Sequence, residues 1–468
     1  MIHIHLIGIG GSGLSAIARV LRESGYEVSG SDRVLSPLAQ ELTLAGVNVT
    51  VGHAPENIHG ADLVVRSSAI PDNNPEVQAA RAAGIPVLKR SEFLGQLMSG
   101  QSGIAIAGTH GKTTTTAMTA WVFSQLGMDP SYIIGGVSKD LGQNAHAGKG
   151  AFFIIEADEY DHMFLGLQPA LIVLTTLEYD HPDCFPTLEN YRQAFVEFIG
   201  HLKPGGALLA NLEDEGSQAV LAQLPSQPVL WTYGTLPAAH YRAVEVEINA
   251  NGGASFTALF QPSGGEVQTL GRVQLQVPGR HNLYNALAAL GAAHRMGLDP
   301  QQAAQALSRF SGTGRRFDLQ GEVNGIAIID DYAHHPTEIR ATLAAARDRY
   351  PQQRLWAVWQ PHTFTRTLSL LPEFCQSFQN ADRVLVTQVY GAREQSNSFS
   401  AAEIVEQIPG QKAVYVPDLQ QATAYLLAQL KSGDVLLVLS AGDADQISAG
   451  VLAGLKKKVE QIDGSNRA

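Results

Sequence analysis

The feature that most restricts the fold of this chain is an apolar run that enters a glycine-rich loop and then a helix. Residues 104–107 are apolar, and the loop Gly108-Thr109-His110-Gly111-Lys112-Thr113-Thr114 follows directly. Met118 and Val122 then recur at helical spacing. A strand, a loop of small residues and a helix in this order are typical of a phosphate-binding loop on a parallel sheet. Ile106 stands where the full motif has its first glycine, so the loop is a shortened variant.

The polar groups of this loop match the parts of a nucleoside triphosphate. Amides at a helix start bind phosphate oxygens, Lys112 reaches the β- and γ-phosphates, and the Thr113 hydroxyl binds Mg²⁺. The acidic segment 156–161 follows a strand predicted at 152–155, and the segment 178–182 follows another predicted at 171–174. An isolated acidic cluster is more often a solvated loop. Beside a phosphate-binding loop, the two strand ends favour a magnesium site.

A second glycine motif lies at the N-terminus. A strand predicted at 3–9 enters Gly8-Ile9-Gly10-Gly11-Ser12-Gly13, and Asp32 ends the next strand about twenty residues later. Such a turn brings the backbone close to a diphosphate at a helix N-terminus. A further strand, predicted at 62–66, leads into Ser67. The motif leaves NAD and other nucleotides open, and a tight turn without a ligand is the structural alternative.

The same alternation of strands and helices continues along the chain, which at 468 residues is too long for one core. We predict an α/β protein of three open domains: residues 1–100 Rossmann-like, 101–313 a central P-loop ATPase domain, and 314–468 Rossmann-like. Hairpins are predicted within 240–277 and a linker at 99–103. Strands of the last unit are predicted near 326–330, 354–359, 383–387 and 434–439, before a polar tail beyond Lys458.

Charge and composition exclude several classes of function. The net charge of −12 argues against a nucleic-acid or anionic-membrane surface. No apolar run approaches the ~18 residues of a membrane span, and the N-terminus lacks the features of a signal peptide. Cys184 and Cys375 form no metal-like or redox pair, which suits a reducing compartment. We therefore expect a cytoplasmic protein.

Charged residues also mark the start of the third unit. They lie in Gly314-Arg315-Arg316-Phe317-Asp318 and in Asp330-Asp331-Tyr332-Ala333-His334-His335-Pro336. Arginine at a domain boundary can bind phosphate through two parallel hydrogen bonds. An interdomain network of salt bridges is the alternative.

Taken together, these motifs resemble the Mur ligases of peptidoglycan synthesis over essentially the whole chain. Gly279-Arg280-His281-Asn282 with Asn285, and Gln360-Pro361-His362, appear in the same order as in that family. The resemblance implies an ATP-dependent, ADP-forming ligase that joins a carboxylate to an amine through an acyl phosphate, with ATP and Mg²⁺ as cofactors. Its first domain would bind a UDP sugar and its third would bring the amino acid.

The resemblance also implies roles for individual residues. ATP would contact Gly108, Thr109, His110, Gly111, Lys112, Thr113, Thr114, Asn282, Asn285, Arg315 or Arg316, and Asp331. Mg²⁺ would be bound by Thr113, Glu156 and His181. The UDP sugar would contact Gly10, Gly11, Ser12, Gly13, Ser31, Asp32 and Ser67. Lys112, Glu156, His181, His335 and Arg366 would be catalytic, with the last two near the amino acid and the substrate carboxylate.

Within the family, the motifs are most similar to the branch that adds L-alanine to UDP-N-acetylmuramate. We expect these two small molecules as substrates, no nucleic-acid or membrane partner, and a monomer or weak homodimer. Thr363 replaces a family arginine, and Phe195 aligns with the carbamylated lysine of sister ligases. The alternatives are a ligase that recycles a tripeptide onto the same UDP sugar, an NAD-dependent oxidoreductase, and a non-catalytic nucleotide sensor.

Overall fold

The structure of the chain is a computed structural model that describes residues 1–226, 228–392, 394 and 399–465. Its N-terminal unit is a five-stranded, wholly parallel sheet. The strand order is β3-β2-β1-β4-β5. The strands are β1 (His3–Ile7), β2 (Glu27–Asp32), β3 (Asn48–Val51), β4 (Leu63–Arg66) and β5 (Val87–Lys89), and the helices are α1 (Ser12–Glu23), α2 (Pro37–Leu44), α3 (Pro75–Ala82) and α4 (Arg90–Leu97). Because the order reverses between β1 and β4, the crevice at their carboxyl ends is the expected ligand site.

The middle unit is a ten-stranded sheet in the order β15-β14-β13-β12-β11-β10-β6-β9-β7-β8. Its strands are β6 (Ser102–Ala107), β7 (Ser131–Ile133), β8 (Ala145–His146), β9 (Phe152–Glu156), β10 (Leu171–Leu174), β11 (Ala207–Asn211), β12 (Val229–Gly234), β13 (Tyr241–Ile248), β14 (Ala254–Phe260) and β15 (Gln268–Gln274). Its helices are α5 (Lys112–Gln125), α6 (Leu188–Ile199), α7 (Glu215–Ala222), α8 (His281–Arg295) and α9 (Pro300–Leu307). The hairpins predicted within 240–277 are confirmed, since β13, β14 and β15 pair antiparallel.

The C-terminal unit is a six-stranded sheet in the order β16-β17-β21-β18-β19-β20, with only β16 antiparallel to its neighbour. Its strands are β16 (Asp318–Val323), β17 (Ile326–Asp331), β18 (Arg354–Trp359), β19 (Arg383–Val386), β20 (Ala413–Tyr415) and β21 (Asp434–Leu439). Its helices are α10 (Pro336–Arg349), α11 (Phe364–Ser369), α12 (Leu371–Cys375), α13 (Ala402–Val405), α14 (Leu419–Gln429) and α15 (Asp445–Ser465). The predicted three-sheet α/β architecture is therefore confirmed.

Several local predictions were wrong. The strand predicted to reach Ile9 ends at Ile7, and β6 begins at Ser102, inside the predicted linker. Helix α15 continues through Lys458 to Ser465, so the predicted polar tail is helical over that stretch. The short elements between β2 and β4 had no periodic signal strong enough to predict them. No helix within the described ranges has both the length and the apolarity required to cross a bilayer.

Each central strand is buried on both faces, so its residues form near-continuous apolar runs. Leu437 on β21 lies between β17 and β18 and has no solvent exposure. We expect Leu437→Ala to lower the free energy of unfolding by about 2–5 kcal/mol, because it leaves a cavity that the two flanking strands cannot close. Leu319→Ala, at a 41 % exposed position on the edge strand of the same sheet, should change it by less than about 0.5 kcal/mol. Denaturant titration of both variants checks this, and equal losses would contradict it.

Candidate active site

The phosphate-binding loop turns sharply between β6 and α5. Gly108 and Gly111 have φ of +135° and +80°, a region that favours glycine. A Cβ on Gly111 would lie 2.5 Å from Asn285 Oδ1 on α8. Gly111 is the N-cap of α5 and has no side chain to cap it. The amides of the first turn can therefore donate to an anion.

Lys112 folds back against this loop. Its ammonium lies 2.8 Å from Glu159 Oε2 and donates to the carbonyls of Gly108 at 2.5 Å and Thr109 at 3.2 Å. Burial alone lowers the pKa of Lys112, but the charges of Glu159, Asp158 and Glu156 raise it above its ordinary value. The loop therefore contains a fixed positive charge in an otherwise acidic protein.

Thr113 and Glu156 form a second pair at the same strand ends. The Thr113 hydroxyl donates to Glu156 Oε1 at 3.0 Å, and the Gly135 amide donates to Oε2 at 2.7 Å. Burial raises the pKa of Glu156, against the effect of nearby Lys112. A hydroxyl and a carboxylate side by side are oxygen donors of the kind that Mg²⁺ prefers.

His181 lies beside Glu159, with Nε2 3.8 Å from Oε1. The preceding Asp180 accepts from Arg366 on α11 at 2.9 Å, which ties the middle unit to the C-terminal unit. Burial would raise the pKa of Asp180, but the Arg366 guanidinium holds it far below its usual range. The structure thus places Thr113 with Glu156, and His181 with Glu159.

His110 bridges two acids from different units. Its Nε2 lies 3.1 Å from Glu178 and its Nδ1 lies 3.2 Å from Glu338 on α10. Burial alone lowers the pKa of His110, but hydrogen bonds to Glu178 and Glu338 raise it to about 9. The pKa of Glu178 falls to about 2, because His110, His335 and Thr337 outweigh its burial. An imidazolium therefore connects the two units at neutral pH.

A cavity of about 820 Å³ opens between these two units. Eight of the predicted ATP-site residues line it: His110, Gly111, Thr113, Thr114, Asn282, Asn285, Arg316 and Asp331. Gly108, Thr109 and Lys112 lie on the loop behind this lining. Thr109 binds the β10 end through its hydroxyl, which donates to the Glu178 carbonyl at 2.7 Å.

The neighbouring arginines Arg315 and Arg316 point to different places. Arg316 lines the cavity and lies 3.6 Å from Glu338. Arg315 donates to the Ser440 and Gly442 carbonyls beyond β21. Asp331 accepts from the amides of Phe317 and Ala333, and burial raises its pKa to about 6. Of the two arginines, Arg316 is the one placed to meet a ligand in the cavity.

His335 is built into the start of α10. It is 2 % exposed, and its Nδ1 accepts from the Thr337 amide at 3.3 Å as the N-cap of the helix. Two other histidines, His334 and His362, lie with ring centroids 5.8 Å apart, next to Arg366. Burial lowers their pKa values to about 3 and about 4. Both imidazoles are therefore neutral at pH 7.

The N-terminal glycine motif lies at the carboxyl edge of its sheet, about the β1–β4 reversal. Gly11, Ser12 and Gly13 form the start of α1, and the Gly10 amide donates to Asp32 Oδ2 at 2.9 Å. Ser67 follows β4 and lies against Gly8. Ser31 is fully buried, and its hydroxyl donates to Glu76 inside the domain. The structure brings the glycines, Asp32 and Ser67 together and places the Ser31 side chain behind them.

Four residues that shape these sites had no individual role predicted from the sequence: Glu76, Glu159, Glu178 and Glu338, although Glu159 and Glu178 lie in the acidic segments that favoured a magnesium site. The last three stand in or beside motifs that were recognised, and Glu338 is also the third residue of a capping box with His335. Phe195, aligned with a carbamylated lysine, lies fully buried on α6 against Phe164 and Tyr191. Its ring offers no metal ligand.

Models of protein families match the three units in turn. The Mur ligase family catalytic domain matches residues 3–102, the Mur ligase middle domain 106–293, and the Mur ligase glutamate ligase domain 315–442. A UDP-N-acetylmuramate–L-alanine ligase of Solidesulfovibrio magneticus is 42% identical over 453 residues, covering 96% of this chain and 97% of the relative. The chain belongs to the Mur ligase family.

Solved structures of Mur ligases agree with this assignment. A UDP-N-acetylmuramate–alanine ligase of Thermotoga maritima superposes with a TM-score of 0.81 at 27% identity and covers 98% of this chain and 100% of that one. A murein peptide ligase of Psychrobacter arcticus gives a TM-score of 0.71 at 27% identity, covering 97% and 99%. This Mur ligase therefore shares its full three-unit fold with both.

The His110 bridge makes the stability of this Mur ligase depend on pH. Because the folded pKa is raised, the stabilisation is complete below about pH 6.5 and is lost as the pH rises through about 9. We expect the free energy of unfolding to fall over that window by an amount on the order of 3 kcal/mol. His110→Gln should remove this part of the pH dependence. Denaturant titrations of both proteins from pH 6 to 9.5 check it, and parallel pH curves would contradict it.

Proposed function

We propose that this chain joins L-alanine to the lactyl carboxylate of UDP-N-acetylmuramate, with cleavage of ATP to ADP and phosphate, in the synthesis of peptidoglycan precursors. The observation that carries the proposal is the cavity between the middle and C-terminal units, bounded by the phosphate-binding loop on one side and Arg316 and Asp331 on the other. Relatives named for this reaction match nearly the full length of the chain at about 40% identity. An NAD-dependent oxidoreductase would have no use for such a loop.

ATP binds in this cavity with its triphosphate at the start of α5. A volume of about 820 Å³ lies within the roughly 300–1,000 Å³ range of small-molecule sites. The amides of the first turn meet the phosphate oxygens, and Arg316 approaches from the opposite unit. Asn282 and Asn285 support the loop from α8, since Asn285 accepts from Thr115 and donates to Asn282.

The UDP sugar binds the first unit, with its diphosphate at the N-terminus of α1. Gly10, Gly11, Ser12 and Gly13 let the backbone approach the diphosphate, and the helix end attracts its charge. The lactyl carboxylate then extends toward the phosphate-binding loop of the middle unit. The two nucleotides therefore bind on separate sheets of the protein.

In the first step, the lactyl carboxylate attacks the γ-phosphorus and ADP leaves. Lys112 exchanges its bond to Glu159 for phosphate oxygens and neutralises the charge that develops there. Thr113 and Glu156 would hold Mg²⁺, with His181 as the further ligand that the family resemblance implies, and the bound ion would neutralise phosphate charge. Thr113 and Glu156 are already hydrogen-bonded to each other at the loop, whereas Lys112 must leave Glu159 to reach the phosphate.

In the second step, the amine of L-alanine attacks the acyl phosphate and phosphate leaves. The attacking amine must lose a proton, and His334 and His362 beside Arg366 are weak acceptors for it, because burial lowers their pKa values to about 3 and about 4. The Nδ1 of His335, the histidine that the sequence predicted to be catalytic, caps α10. Arg366 supplies the cation for the substrate carboxylate. Residue 363, an arginine in the family, is a threonine here and adds no second cation.

We also propose a cytoplasmic location, since ATP is a substrate and Cys184 and Cys375 are both free thiols. The partners we propose are the two small-molecule substrates and ATP.

ADP release tests the choice between alanine addition and tripeptide recycling. With UDP-N-acetylmuramate present, L-alanine should support ADP release with a far higher kcat/KM than L-Ala-γ-D-Glu-meso-diaminopimelate, because a pocket for a free amino acid excludes a tripeptide by steric clash. Without either amine, turnover should be negligible. A higher kcat/KM for the tripeptide would assign the recycling reaction instead, and amine-independent ADP release would exclude a ligase.

Lys112→Ala tests the role of the phosphate-binding loop. We expect kcat to fall by about 10²–10³ or more, because a fixed donor to the transferred phosphoryl group is lost. The variant should also lose stability, since it leaves Glu159 buried without its cation. Lys112→Ala/Glu159→Gln should recover stability but not activity. Near-normal turnover by a folded Lys112→Ala protein, measured by ADP release, would contradict the mechanism.

A further inference from the structure

A buried carboxylate lies beneath the N-terminal unit's ligand edge, outside the motifs that define the site. Glu76 is the second residue of α3, and its side chain has no solvent exposure. Removing an ionised carboxylate from water is costly unless hydrogen bonds or charges compensate for it. The hydrogen-bond partners of Glu76 therefore show which segments this carboxylate positions.

The partners of Glu76 come from two segments at the carboxyl edge of the sheet. The Ser31 hydroxyl on β2 donates to Oε2 at 2.6 Å, and His53 Nδ1 lies 3.3 Å from the same oxygen. Asn57 donates to Oε1 in a short hydrogen bond, and the Ala54 amide lies 3.4 Å from that oxygen. One carboxylate thus joins the end of β2 to the segment 53–57 that follows β3.

Ser31 passes this connection on to the glycine motif. Its carbonyl accepts from the amides of Gly8 at 2.8 Å and Ile9 at 3.1 Å, while its hydroxyl is held by Glu76. The next residue, Asp32, accepts from the Gly10 amide at 2.9 Å. The position of the turn before α1 therefore depends on the end of β2, where strand pairing with β1 and β3 holds the backbone and Glu76 holds the Ser31 side chain.

Core packing alone does not require a carboxylate at residue 76. An apolar side chain at residue 76 would fill the same space without the cost of a buried charge. Two histidines lie near this carboxylate: His53, with Nδ1 3.3 Å from Oε2, and His5, with Nε2 3.8 Å from the same oxygen. Burial raises the pKa of Glu76, but His5, Ser31 and Asn57 together lower it to about 2. What the carboxylate adds over an apolar residue is a defined geometry for the two segments.

We propose that Glu76 is a positioning residue for the sugar-nucleotide site: it fixes the end of β2 and the segment 53–57 so that the glycine motif and Asp32 meet the UDP moiety. This inference rests on the proposed function, because it takes the UDP sugar as the ligand of the first unit. Glu76 contacts no substrate and takes no part in phosphoryl transfer. Its effect is confined to binding of the sugar nucleotide.

Steady-state kinetics of Glu76→Ala tests the proposal. We expect the KM for UDP-N-acetylmuramate to rise by about tenfold or more, as the loss of oriented hydrogen bonds displaces the site. The kcat and the KM values for ATP and L-alanine should stay within about twofold, since their sites lie on other sheets. Glu76→Gln keeps the side-chain volume and one acceptor oxygen, and it should restore most of the KM.

Matched controls separate positioning from a loss of stability. Glu56→Ala removes an exposed acid next to Asn57 and should leave every parameter unchanged. Asn57→Ala, which removes one arm of the network, should raise the same KM by a smaller factor, and it decides the question if Glu76→Ala does not fold. The proposal would be overturned if folded Glu76→Ala or Asn57→Ala kept the wild-type KM for UDP-N-acetylmuramate, or if the variant lost kcat and not KM. A fall in thermal stability alone would not rescue it.

Calorimetry of the wild-type protein with UDP-N-acetylmuramate keeps this result distinct from the proposed function. Binding by the wild type and weakened binding by Glu76→Ala support both. Binding by the wild type and equal binding by the variant overturn only the role of Glu76. No binding by the wild type overturns the assignment of the UDP sugar to the first unit, and the role of Glu76 with it.

Discussion

A carboxylate that leaves water must be met by a cation or by several donors, and this constraint organises the functional edge of every unit in the structure. Lys112 pairs with Glu159, and Arg366 pairs with Asp180. Glu338 is paired with both His110 and Arg316. Each pairing joins elements that are distant in sequence. Lys112, His110 and Arg366 thus place positive charge at these edges of a protein whose net charge is −12.

Two of these pairings cross between units, and this explains why the cavity belongs to neither unit alone. His110 meets Glu338 across the gap, and Asp180 meets Arg366. The phosphate-binding loop therefore depends on the C-terminal unit for part of its charge balance. A ligand that changes the charge at the loop therefore also changes the electrostatic contribution of the pairings across the gap.

The sequence predicted the regular parts of this molecule well, because strand, glycine turn and helix leave a local signal. The loop at 108–114, the three sheets and the hairpins at 240–277 all follow from spacing and composition. The burial of a polar side chain and the direction in which it points leave no such local signal in the sequence. Glu76 reads as an ordinary acid in a first helical turn, Ser31 reads as a polar strand end, and Arg315 cannot be told from its neighbour. Only the packed structure shows which side chains face a ligand.

The aromatic ring of Phe195 has a consequence for what the active site requires from its surroundings. A lysine at the aligned position of sister ligases takes up dissolved carbon dioxide to become a carbamate ligand. Phe195 is instead sealed in the core by Phe164 and Tyr191, where no such adduct can form. No ligand at this position therefore depends on carbon dioxide or on the bicarbonate supply of the cell.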